Sequence, residues 1–216
     1  MKQRITFLIS LLLAAAISSG IAQTSQPKIF TVEPASKLWV DGTSTLHSFT
    51  FEAKQIDGTL QANNFFASRT SATQQEAAIE QMDITIPVVK LESEHSGMNS
   101  NMQEAMKADK FPNISYRLVS AEVKEAGNSS AETFVLSTQG YLKIAGTEKM
   151  IGMDVTAKRL PSGELELTGS KDLLMTDFGI EPPTMMFGTI KTGDKVSIRF
   201  DLTLAGSDDN SRASLR

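Results

Sequence analysis

"KVSIRFDLTL", residues 195–204, places Val196, Ile198, Phe200, Leu202 and Leu204 at every second position, with Ser197, Arg199, Asp201 and Thr203 between them. Successive side chains leave a strand on opposite sides, so this alternation marks a β-strand with one buried and one wet face. The same period recurs in "FTFEAKQI" (Phe49, Phe51, Ala53), "MDITIPVV" (Met82, Ile84, Ile86, Val88) and "ISYRLVSAEV" (Ile114, Tyr116, Leu118). Pro87 brings no N–H to a ladder and marks an edge, a bulge or a strand end. Further strands are predicted over 133–145, 149–159 and 163–171, with the glycine-bearing turns "IAGTEK" and "LPSGEL" between them. A weaker strand covers Leu38–Asp41. About eight strands then follow one another in sequence order, so neighbours pair antiparallel, and closure into a barrel removes the exposed edges.

One segment breaks the period. In "HSGMNSNMQEAMKADKFPNISYRL", residues 95–118, Met98, Met102 and Met106 fall four apart, along one side of a helix. Ser100 and Gln103 have capping-box spacing, and Pro112 disfavours helical geometry at Phe111. A single short helix over about 99–109 is therefore predicted. Two or three turns do not stand alone in water, so the methionine side must dock, most simply as a cap on one end of the barrel. Burial of each methionine contributes roughly 1.5–3 kcal/mol. Their adaptable thioether chains would also suit contact with a ligand.

Lys2 and Arg4 precede an apolar run from Ile5 to Ile17 and then small residues up to Ala22, the order of a secretory signal peptide over 1–22. The run is shorter than the 20 or so residues a spanning helix needs. The expected mature chain is exported, periplasmic or secreted, and not stably inserted in a membrane. Its domain covers 23–205, followed by a polar tail, 206–216. "NNFFASRTSATQQEAAIE" reads as a polar loop in which Phe65-Phe66 could pack down as a plug. There is no cysteine, which excludes disulfides, thiol catalysis and a cysteine-linked lipid anchor. Loss of Lys2 and Arg4 takes the formal charge from −4 to −6, which offers no basic footprint for nucleic acid.

Motifs for catalysis are sparse. His47 and His95 stand apart, without H-x-x-x-H or H-E-x-x-H spacing, and "GTSTLHSF" holds no G-x-S-x-G elbow. No metal site and no cofactor is predicted. A hydrolase or metal-dependent enzyme using His47 or His95 is the rival reading, and a structural or partner-binding protein with a filled barrel is another. A homodimer is compatible with the sequence.

Taken in order, "DGTSTLHSF", the 95–118 segment, "GYLKIAGTEK" and "MTDFGIEPPTMMFGTIKTGDKVSIRFDLTL" resemble the YceI-like family of exported bacterial lipid-binding proteins over roughly 29–205. Asp41, His47 and Ser48 are similar to the family's opening aspartate and His-Ser pair, at a longer spacing. Phe111-Pro112-x-Ile114-x-Tyr116 is similar to its phenylalanine–proline lead into a strand, and Gly140, Leu142, Ile144, Gly146 and Thr147 to its glycine-bounded hairpin. Asn99–Met102 stand where an Arg-Asp pair commonly precedes the helix, which makes this a divergent member. The resemblance implies an all-β, eight-stranded antiparallel barrel of lipocalin-like shape, holding an isoprenoid or fatty-acyl chain on which no chemistry is done. Alternation and helix phase nominate Phe49, Phe51, Ile84, Ile86, Met102, Met106, Phe111 and Tyr116 as lining residues, with His47 to orient a polar head.

Overall fold

The computed structural model describes residues 27–62, 79–126, 133–185 and 187–206. The expected leader, Phe65-Phe66 and residues 207–216 of the tail lie outside the described residues. Within them the order is β1 (Lys28–Val32), β2 (Lys37–Ser44), β3 (Ser48–Ala53), β4 (Asp57–Ala62), β5 (Ile79–Pro87) and β6 (Leu91–Glu92). There follow α1 (Ser96–Ala105), β7 (Asn113–Ala126), β8 (Thr133–Ile144), β9 (Thr147–Arg159), β10 (Leu165–Leu174), β11 (Thr184–Met185) and β12 (Ile190–Gly206).

Every pairing is antiparallel, and the ring β1–β4–β5–β7–β8–β9–β10–β12 closes back onto β1. The short strands lengthen its staves. β2 pairs with β12 from Thr192 to Asp201, and β1 takes over from Leu204 to Gly206, so β1 and β2 form one broken stave. β3 and β4 form the next, and β5 and β6 the third, interrupted after Pro87 by a 3-10 turn over Val88–Lys90. The result is the expected eight-stranded antiparallel barrel, with staves in sequence order. Sequence periodicity passes over β1 and over β4, whose "DGTLQA" holds a single large apolar residue, and sets the start of β12 too late. "KVSIRFDLTL" is the centre of that 17-residue strand, and its apolar face is the inner face.

The barrel is solid at one end. Leu60, Ala121, Leu136, Ala157, Leu165 and Leu204 are fully buried there, away from any opening. Leu→Ala at such positions typically costs about 2–5 kcal/mol. At the opposite end a second apolar cluster gathers Val88, Met106, Leu142, Ile144, Leu173, Phe178 and Ile180 around the root of α1.

The helix lies over 96–105, shifted toward the N-terminus from the predicted 99–109. The capping-box pair does not start it: Ser100 sits inside the helix, and its hydroxyl donates to the Ser96 carbonyl. Asn99 instead turns back. Its Oδ1 accepts from the Ser93 amide at 2.8 Å and hydroxyl at 2.7 Å, fixing the chain just before the helix. Termination comes before Pro112, where Lys107 adopts a left-handed φ of 53°. A non-glycine residue in that region ends a helical run.

β9 and β10 do not stay paired. Their ladder runs from Leu165↔Arg159 to Gly169↔Val155 and stops. Beyond it β9 continues along β8 to Thr147, and β10 continues along β12 to Leu174. A window therefore opens between Thr147–Asp154 and Ser170–Leu174, in the half of the barrel nearer α1. A 3-10 turn over Thr176–Phe178 covers its upper part, held by Lys149 to Asp177 at 2.8 Å with the Lys149 ammonium over the Phe178 ring. Asp194, on a bulge of β12, accepts from the Thr176 amide and hydroxyl and anchors this turn.

Candidate functional site

The hollow half of the barrel encloses a cavity of about 280 Å³. Its wall follows β12 inward from Ile190 through Val196, Ile198 and Phe200 to Leu202, on the order of 40 Å of tilted strand at about 3.3 Å per residue. The floor is formed by Ile79, Met82, Leu118, Val155 and Leu167, directly above the solid end. α1 forms the roof. Met98, Asn101, Met102, Ala105 and Met106 all face the cavity, at the i, i+3, i+4, i+7, i+8 spacing of a single helix face.

Of the nominated residues, Phe49, Phe51, Ile84, Ile86, Met102, Met106, Tyr116 and His47 lie on this wall. Phe111 does not. Its ring packs outside over Gly146, in the β8–β9 turn, with the Lys110 ammonium 5.3 Å from its centroid. The left-handed turn at Lys107 and Pro112 carry the chain around the rim there, so helix phase no longer decides where Phe111 points. His47 stands at the mouth, in the β2–β3 hairpin, exposed and 3.5 Å from the Ser44 hydroxyl. His95 sits at the start of α1, on a different loop, and is exposed. Among the described residues no group of three or more His, Asp and Glu converges as a metal site would require. Asp41 points outward from the barrel. It accepts from Arg199 at 2.6 Å and from Thr50 at 2.7 Å, bracing β2 against β3 and β12. The Arg199 guanidinium beside it holds its carboxyl below the usual aspartate range.

The wall is mostly aliphatic and aromatic, and space for it is made by inward glycines. A Cβ on Gly42 would meet the Phe49 ring at 2.3 Å, and one on Gly169 the Phe200 ring at 2.6 Å. Gly140 lies under Tyr116 in the same way, with the ring carbon Cζ 2.4 Å from where a Cβ would stand. The tyrosine is laid along the wall toward Thr138, and burial raises its pKa above that of an exposed phenol. Thr138 is itself buried, and its hydroxyl donates to the Met153 carbonyl at 2.9 Å. Lys171 also borders the cavity, at an inward position of β10.

Sequence reading did not nominate Thr138, Lys171, Asn101 or the inward glycines. The apolar positions Val196, Ile198 and Phe200 were legible, since alternation already placed them on one face. Lys171 was not, because a charged residue in a strand reads as outward until the loss of its neighbour is known.

Residues 40–204 match the sequence family described as YceI-like domain. A comparison with curated proteins finds no match. Among solved structures the fold is similar to BcnA of Burkholderia cenocepacia (TM-score 0.62, 16% identity, covering 80% of this chain and 98% of that one). It is also similar to a polyisoprenoid binding domain from Saccharophagus degradans implicated in plant cell wall breakdown (TM-score 0.61, 11% identity, 84% and 100% covered). The YCEI protein of Campylobacter jejuni is a third (TM-score 0.53, 14% identity, 96% and 94% covered). Identities this low speak to the fold, whereas the sequence match spans most of the chain: the protein belongs to the YceI-like family.

Proposed function

We propose that this protein is an exported, non-enzymatic carrier that holds an apolar chain molecule, of isoprenoid or fatty-acyl type, inside its barrel. The cavity carries the reading. It is long and narrow, lined almost throughout by carbon, floored by a packed core and roofed by a helix. A wall of this kind favours a flexible hydrocarbon chain, because burial of its surface needs few polar partners. The likeness to a polyisoprenoid-binding domain supports the same ligand class. The leader-like order of residues 1–22 supports export to the periplasm. His47 and His95 stand exposed on different loops, and among the described residues neither belongs to a cluster of His, Asp and Glu that could hold a metal for the enzyme reading.

Native mass spectrometry and organic extraction of the protein purified from the exporting cell test this directly. We expect a chain lipid to co-purify, and an added apolar fluorophore such as N-phenyl-1-naphthylamine to bind once the lipid is stripped. Absence of both would overturn the carrier reading and leave a structural barrel.

A further inference from the structure

The window between β9 and β10 has a specific chemical lining. Continuing the β9–β10 register past Gly169↔Val155 would set Lys171 opposite Met153, but the strands have parted there. The Lys171 side chain occupies the gap, and its ammonium donates to the Gly152 carbonyl at 2.7 Å. One peptide further along β9, the Met153 carbonyl receives the Thr138 hydroxyl at 2.9 Å. Two polar side chains, from strands on either side of β9, thus take consecutive carbonyls of that strand from its two edges. The Tyr116 hydroxyl adjoins Thr138 and belongs to the same group.

The hydrogen count of this group is informative. Thr138 has one hydroxyl hydrogen and spends it on Met153, so the tyrosine hydrogen is left to point at Thr138 Oγ1 or into the cavity. Lys171 carries three hydrogens, and one is spent on Gly152. No carboxylate among the described residues lies within salt-bridge distance of it. Asp172, the next residue, faces outward and pairs with Lys195 at 2.7 Å, and the Lys171 charge acts on it only from beyond that distance. Lys171 is only half-buried and borders the outer groove as well as the cavity, so its remaining hydrogens meet water at the window, where an acceptor oxygen of a ligand can take that water's place. Outside the window, Lys149, Lys171, Asp172, Asp177 and Lys195 border a groove of about 370 Å³, where an emerging head group would meet water and cations.

We propose that this window holds the polar head of the ligand, with Lys171 and Tyr116 as donors to its acceptor oxygens, the tyrosine turning its one hydrogen from Thr138 Oγ1 to the ligand when the head is bound. The inference rests on the carrier reading and sharpens it: the ligand is an amphiphile whose chain fills the barrel and whose head bears carboxylate or carbonyl oxygens. The head is read through the wall of the barrel, away from His47 at the mouth.

Three probes of similar length separate the cases: hexadecane, 2-heptadecanone and palmitate, each competed against a bound apolar fluorophore. The wild type should prefer the ketone and palmitate over hexadecane by about tenfold or more, as hydrogen bonds to such oxygens would give. Lys171→Met keeps the stem and removes the charge; it should lower the palmitate-to-hexadecane ratio about tenfold and the ketone ratio less. Tyr116→Phe should lower both ratios by about fivefold. Far-ultraviolet circular dichroism confirms that each variant is folded. Equal wild-type affinity for all three probes, or variant losses shared equally by all three, overturns the head-group window while leaving the carrier intact. Failure of every probe to bind the wild type removes the carrier reading itself.

Discussion

Glycine does opposite work at two neighbouring positions of β8 and its turn. Gly146 has a φ of 84° and lies under Phe111, so a side chain there would be strained in its backbone and blocked in space. Gly140 has no such conformational demand; its hydrogen only leaves room for Tyr116 to lie flat against the wall. Gly140→Ala would push the ring off that shelf, toward the cavity it borders. We expect a modest loss of stability, about 1–3 kcal/mol as for other small overpackings, read from the urea midpoint. Uptake of an apolar fluorophore should fall much further, by about tenfold, because the displaced ring occupies ligand space. Uptake at the wild-type level would show that Tyr116 finds another resting place. Neither glycine could be assigned its task from sequence, since each task depends on an aromatic ring brought over from another segment.

At the level of elements, α1 and the β9–β10 window divide the upper half of the barrel between them. None of the helix's own residues is buried, though Met106 just past its end is. Its stability therefore comes from docking one face over the cavity rather than from propensity. Met102→Leu conserves volume and should cost less than about 1.5 kcal/mol, while altering the preference among chain lengths by removing a flexible wall group. Met102→Asp places a charge on the same face and should reduce apolar-probe binding at least tenfold at neutral pH. A Met102→Asp protein that binds normally would mean that the helix lies aside when ligand is present. The methionine stripe gave the existence and docking side of this helix from sequence. Its boundaries were not legible, because Asn99 closes the preceding loop and leaves Ser100 with no capping role. The window was invisible for a related reason: both strands keep their alternation across it, and only their separation exposes it.

Across the whole molecule, stability should decline in acid through a few external carboxylates. Asp41 is held below the usual aspartate range by Arg199 and Thr50, Asp172 by Lys195 and Ser197, and Asp194 by the Thr176 hydroxyl and amide. A carboxyl whose folded pKa is lowered stabilises the fold above its unfolded value of about 4. That contribution is lost as pH falls through the lower folded values. All three sit at the surface, so solvent and salt screen them and each contributes little alone. The urea midpoint should be flat from about pH 7 to pH 5 and then fall below about pH 4. Asp41→Asn should flatten part of that slope, whereas a wild-type midpoint unchanged at pH 3 would refute this assignment.

Alternation alone determined the class of this fold. Residues two apart must share a face of a strand, so "KVSIRFDLTL" and its relatives could only wrap an apolar interior, and short connections could only set them side by side. The glycine turns, the helix and the apolar character of the ligand space followed from the same local rules. What the tertiary structure decided was where that interior is packed and where it is hollow, that Phe111 lies outside it, and that β9 parts from β10 over Lys171. Those outcomes depend on register and closure, which join residues far apart in the chain. A local period fixes which way a side chain points relative to its own strand, and leaves open what stands opposite it.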